Sequence, residues 1–115
     1  MNKPYAKLSS QQQAVESLAK IGDSAAVMAM ASFLGNDDKE FRQLLVDGIG
    51  SVQDTRSIQI LGQVIYGEPD PEIRMIAVRA LAERQNEMAA HALLAGALDD
   101  PDEEVRGLAS QLLIK

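Results

Sequence analysis

Apolar residues recur along this chain three and four positions apart, the spacing that puts them on one face of a helix, and short polar turns interrupt each such run. In the middle, Ile73, Ile76, Ala77, Ala80 and Leu81 make one such face, opened by Glu68-Pro69-Asp70-Pro71. Sliding this stretch by 32 residues finds it again in both directions, at Val105, Leu108, Ala109, Leu112 and Leu113 and at Phe41, Leu44, Leu45, Gly48 and Ile49, with Val52 extending the last face. Arg42, Arg74 and Arg106 keep the same spacing, each preceded by an apolar residue (Phe41, Ile73, Val105). A period this long marks stacked supersecondary units, because one helix pair cannot bury its apolar face alone and its neighbours in the stack must cover it.

Taken in order, residues 1–8 read as a lead-in, and Ser9 with Gln12 and Ser10 with Gln13 form two overlapping capping boxes that predict a helix start. The first helix is expected to run to Ile21 with Ala14, Leu18 and Ile21 inward. Gly22 closes it, and Asp23 caps a second helix from Ser24 to Leu34. Unit two is expected to hold helices from Lys39 to Ser51 and, capped by Asp54, to Tyr66. In unit three Pro71 occupies the first turn, where its missing N–H costs nothing, and Asn86 takes the capping place before a helix from Glu87 to Leu98. Unit four has a first helix and no second. The expectation is an all-α solenoid of seven helices, about three and a half units of 31–32 residues in one domain, with units near 9–35, 36–67, 68–98 and 99–115.

Composition agrees with a helical core: 46% of residues are hydrophobic and only 3% aromatic, leaving Leu, Ile, Val, Ala and Met to fill it. There is no Cys and a single His, so disulfides, thiolate sites and a zinc set have no ligands, and His91 is followed by Ala92 instead of a second ligand. The longest apolar run, Ala25 to Ala31, falls short of the roughly 20 residues of a membrane span. The opening residues show no secretory signal, and a cytoplasmic location is the expectation. With a net charge of −6 and scattered basic residues, nucleic acid is not an expected partner. No nucleophile elbow or phosphate-cradling loop is present, so neither catalysis nor a cofactor is expected. The acidic turns at Asp37-Asp38, Glu68-Asp70 and Asp99–Glu104 are expected to complement helix N-termini instead of binding calcium. The Arg ladder is expected to pair with them as part of the fold.

The block Asp-Pro-Asp/Glu-x-x-Val/Ile-Arg-x-x-Ala-x-x-x-Leu resembles the short HEAT-like repeats of phycobilin lyases and bacterial scaffold proteins. It is clearest at Asp70-Pro71-Glu72-Ile73-Arg74 and Asp99-Asp100-Pro101-Asp102-Glu103-Glu104-Val105-Arg106. Unit two keeps the Arg but has Asn36-Asp37-Asp38 with no Pro, and unit one lacks both the Arg and the acidic turn. The resemblance implies that second helices line an inner concave wall. There the repeat alignment stacks Met28 with Gln59 and His91, Ala29 with Ile60 and Ala92, and Ser32 with Gln63 and Ala95, with Arg56 beside them. Such a floor of small side chains with Met28, Gln59, Ile60 and His91 as larger handles suits a protein or peptide partner. Small residues that merely let the stack close are the competing reading. The resemblance also implies an alternative role, an accessory subunit of an enzyme such as a chromophore lyase. The last helix, carrying Leu108, Leu112, Leu113 and Ile114 without a cover, is expected to mediate self-association or continuation of the stack.

Overall fold

The computed structural model describes residues 4–114, with side chains from residue 10 onward. Its helices are α1 (Pro4–Ile21), α2 (Ser24–Ala31), α3 (Lys39–Gly50), α4 (Thr55–Gly67), α5 (Pro71–Ala82), α6 (Met88–Gly96) and α7 (Glu103–Leu112), with a 3-10 turn at Ala97–Asp99 between the last two. Among the described residues there is no strand. The chain is an α-solenoid: α1, α3, α5 and α7 stack as one layer, α2, α4 and α6 as the other, and the pairs α1–α2, α3–α4 and α5–α6 close each unit.

The apolar stripes meet between the layers. Val27, Met30, Leu45, Val46, Ile49, Ile58, Leu61, Ile73, Ala77, Val78, Leu81, Leu94, Val105 and Ala109 are at most 1% exposed. Aspartates cap the helices as their sequence positions require. Asp23 accepts from the Ala26 N–H at 2.8 Å, Asp54 from Arg56 at 2.8 Å, Asp70 from Glu72 at 2.9 Å and Asp102 from Glu104 at 2.8 Å. Each such cap stabilises its helix by about 1 kcal/mol. Gly22, with φ of +65°, turns the chain out of α1 and donates its N–H to Leu18 O at 3.0 Å.

Four expectations are corrected. Helix α1 begins at Pro4, so the paired Ser–Gln motifs at 9–13 lie inside it and do not start it. Its buried face centres on Val15, with Leu18 and Ala19 beside it, while Ala14 and Ile21 are exposed. The reason is Gly48, which lets Val15 press into α3. Helices α2 and α6 end earlier than expected because a tighter turn takes over. The Phe33 N–H bonds to Met30 O at 3.1 Å and that of Leu34 to Ala31 O at 3.1 Å, and after α6 the 3-10 turn does the same. Asn86 is not the cap of α6. Glu87 occupies that position without a side-chain cap bond, because its carboxylate accepts from Arg84 Nε at 2.8 Å.

Candidate partner-binding face

The second helices carry the candidate residues. From α2 with its C-cap Ser32 and from α4, Met28, Ser32, Arg56, Gln59, Ile60 and Gln63 line one shallow cavity of about 310 Å³, joined by Ala31. Met28 is 43% exposed, and Ser32, Arg56, Gln59 and Gln63 are also exposed. Arg56 enters no ion pair among the described residues and brings a positive charge to the rim. The cavity thus has an apolar floor, two amide side chains able to meet a peptide backbone, and one guanidinium.

Ile60 belongs to the floor and is not a handle: it is 5% exposed and part of the core. A repeat alignment cannot show this, because its counterpart Ala92 is exposed while Ile60 is covered. Ala29 is half-buried and Ala31 takes its place in the lining. His91, Ala92 and Ala95 sit on α6, outside the cavity, with His91 and Ala95 half-buried. The α4–α6 seam closes through Gly62, where an added Cβ would lie 2.8 Å from a Leu93 methyl. The expected three-unit floor therefore divides, and its well-formed part spans units one and two.

Sequence reasoning missed the other face. Between α3 and α5 lies a groove of about 290 Å³, with Asp47, Ser51, Arg79 and Glu83 around Gly50 and Ala80. It exists because the Gly50 backbone comes so close to α5 that a Cβ would stand 2.8 Å from that of Ala80. The pair of small residues was a readable signal, hidden because Gly50 alone looks like a weak helix former and Ala80 like an ordinary good one.

Arg42 and Arg74 pair with turn carboxylates, as the repetition of the ladder implied, whereas Arg106 bonds only carbonyls of its own turn among the described residues. Arg74 holds Asp100 through Nε and Nη2, both at 3.0 Å, and its Nη1 donates to the carbonyls of Glu68 (2.9 Å) and Pro69 (3.1 Å). Arg42 holds Glu68 the same way, at 2.9 and 3.5 Å. A second device had no signal. Arg84, 4% exposed, reaches back from the turn of unit three into that of unit two, where Nη1 donates to Val52 O (3.1 Å), Asp54 O (3.0 Å) and the buried Ser57 hydroxyl (2.7 Å).

On the surface, Lys39 bridges Asp70 (3.0 Å) and Glu72 (3.3 Å). The hydrogen bond to Asp70, followed by that to Glu72, raises the Lys39 pKa above its ordinary value, and the same bond from Lys39 lowers that of Asp70. No helix among the described residues is long and apolar enough to cross a membrane.

Stacked helix pairs, a constant period and a repeating turn arginine define an α-solenoid. The family model for HEAT repeats matches residues 28–114, and the chain belongs to the HEAT-repeat family. The match names the repeat family and not the phycobilin-lyase type. It begins inside α2, so α1, which stacks with α3, α5 and α7 but lacks their turn arginine, lies outside it. No curated protein matches the chain. Repeats of this family generally serve as protein-interaction scaffolds.

Proposed function

We propose that the protein is a non-catalytic binding module that takes a segment of a partner protein on its second-helix face, at the cavity between α2 and α4. The observation that supports this reading is the gathering of Met28, Ser32, Arg56, Gln59 and Gln63, exposed and drawn from two units, around the buried Ile60 floor. The floor takes an apolar side chain, Gln59 and Gln63 meet backbone amides, and Arg56 favours an acidic residue at one end of the segment. Peptide-backbone and apolar contacts dominate, so salt weakens binding only through Arg56.

The test places a photo-crosslinking residue at Gln59 and, as a control on the opposite face, at Asp47, in the cell that makes the protein. One partner captured from Gln59 and not from Asp47, and lost on Met28→Glu with an unchanged melting curve, supports the site. Capture from Asp47 alone moves the function to the groove between α3 and α5. Ile60→Lys does not serve here. It puts an ammonium into the core, and its effect on binding would be inseparable from unfolding.

A further inference from the structure

The outer face of the first-helix layer carries two apolar furrows, one on either side of α3. Between α1 and α3 a furrow of about 190 Å³ is floored by Val15, Leu44 and Gly48; between α3 and α5 the groove of about 290 Å³ is floored by Gly50, Ile76 and Ala80. Asp47 and Ser51, one turn apart on α3, line both and form the ridge between them. Neither Gly48 nor Gly50 brings a side chain, so the neighbouring helix closes directly on the backbone and each floor stays level.

Glu16, Asp47 and Glu83 stand exposed on the rims against one cation, Arg79. None of the four enters an ion pair among the described residues, and Glu16 accepts one bond, from Gln12 Nε2 at 3.2 Å. The capping aspartates of this chain sit at helix N-termini, where the dipole favours them. Asp47 and Glu83 do the reverse. Asp47 lies in the last turn of α3 and Glu83 is the C-cap of α5, where the terminal carbonyls are already negative and a carboxylate costs about 0.3–1 kcal/mol. These two acids add nothing to helix stability in those places. With two helix C-termini and three carboxylates, the face attracts cations, whereas the α2–α4 cavity has Arg56 as its one charged lining residue.

We propose that this face docks a basic amphipathic helix of a partner protein, laid across α1, α3 and α5 with one apolar side chain in each furrow and lysine or arginine beside Glu16, Asp47 and Glu83. Packed helices stand roughly 8–10 Å apart, and so do the furrows between them. A helix advances about 10 Å in seven residues and then presents the same face, so apolar residues seven apart reach both furrows with the Asp47–Ser51 ridge between them. An extended segment returns to one face about every 7 Å and misses that spacing. Cations three or four residues from each apolar anchor share its face and supply the charge that helix C-termini favour. Arg79, at the α5 rim, gives the bound helix a direction, because a neutral or acidic residue suits that end. The site is separate from the α2–α4 cavity, so one chain can hold two partner segments of opposite charge at once.

The probe is a synthetic helical peptide with leucine at every seventh position, lysine three and four residues after each leucine, and alanine elsewhere. Binding to the 115-residue chain is measured by calorimetry and located by backbone-amide NMR. Saturable binding is expected, with shifts at Gly48, Gly50 and Ala80 and none at Gln59 and Gln63. The affinity falls roughly tenfold in the double variant Asp47→Asn, Glu83→Gln, and falls also when serine replaces leucine in the peptide. Because neither carboxylate bonds anything among the described residues and both oppose a helix dipole, the double variant keeps or raises the unfolding midpoint. Equal binding by the double variant or by the serine peptide overturns the proposal, as does a drop in the midpoint of that variant. Shifts centred on the turns at Asp37, Glu68 and Asp102 overturn it too, since the peptide would then be neutralising the acidic turns alone.

Discussion

Where unit one meets unit two, Val15 and Met30 close over Gly48, and a Cβ there would stand 2.5 Å from Val15 Cγ1 and 3.1 Å from Met30 Sδ. Where unit two meets unit three, the same architecture is gripped at both edges by charge: Arg42 on Glu68 at one turn, Arg84 on the carbonyls of Val52 and Asp54 at the other. The ladder position of unit one is Ser10, and the place of Arg84 one period earlier is Val52. Neither residue can throw a guanidinium across a seam. The contrast teaches that stacking requires only a covered apolar stripe. The arginines add a fixed register between turns, at the risk of stranding a buried charge if one is lost.

The comparison breaks hardest at the next ionic seam, where Arg74 of unit three holds Asp100 of unit four. Arg74→Ala leaves the Asp100 carboxylate, whose side chain is 2% exposed, with the Asp102 N–H as its remaining partner. A loss of about 3–5 kcal/mol in urea-unfolding free energy is expected, because an uncompensated buried charge costs far more than the pair itself contributes. A loss below about 1 kcal/mol would mean that water reaches the carboxylate, as it does at exposed pairs. At the apolar seam, Gly48→Ala gains about 1 kcal/mol of helix propensity against an overpacking cost of about 1–3, and the 2.5 Å approach decides for the cost. A net loss of up to about 2 kcal/mol is expected, while Gly107→Ala, with open space around it, gains roughly 0.5–1. If both variants gain stability, the first seam is loose and its likeness to a packed core fails.

The smallest effect belongs to the exposed bridge. The folded pKa of Asp70 is lowered, so its contribution is present above the ordinary carboxylate value and fades as pH falls through the lowered one. That of Lys39 is raised, so its contribution is present below the ordinary lysine value and fades as pH rises through the raised one. The bridge is therefore intact across neutral pH. In Lys39→Met the Asp70 titration, followed by carboxyl-carbon NMR, moves up toward the ordinary value with little change in stability.

The period, the helix pairs, the aspartate caps and the structural role of the Arg ladder were legible because each is written in residue types at fixed intervals. Arg84 was not, since its partners are mostly backbone carbonyls some thirty residues away, which every residue carries alike. Ile60 was misplaced for a related reason. Columns of aligned positions show which residues share a helix face, whereas burial depends on what the neighbouring helix brings, and here the covered Ile60 aligns with the exposed Ala92. The start of α1 at Pro4 escaped because the Ser–Gln motifs at 9–13 imitate a beginning that the chain does not use.

The 26-residue reach of Arg42 and Arg74 has a genetic consequence. Each of units three and four opens with an acid and follows it six residues later with an arginine, Glu68 with Arg74 and Asp100 with Arg106. Excise residues 68–99 from the gene and Arg42 falls 26 residues before Asp100; duplicate them and every new junction finds the same two groups. Unequal crossing-over between such segments can lengthen or shorten the coding sequence by whole periods, and the turn contacts re-form at each junction without a compensating point mutation.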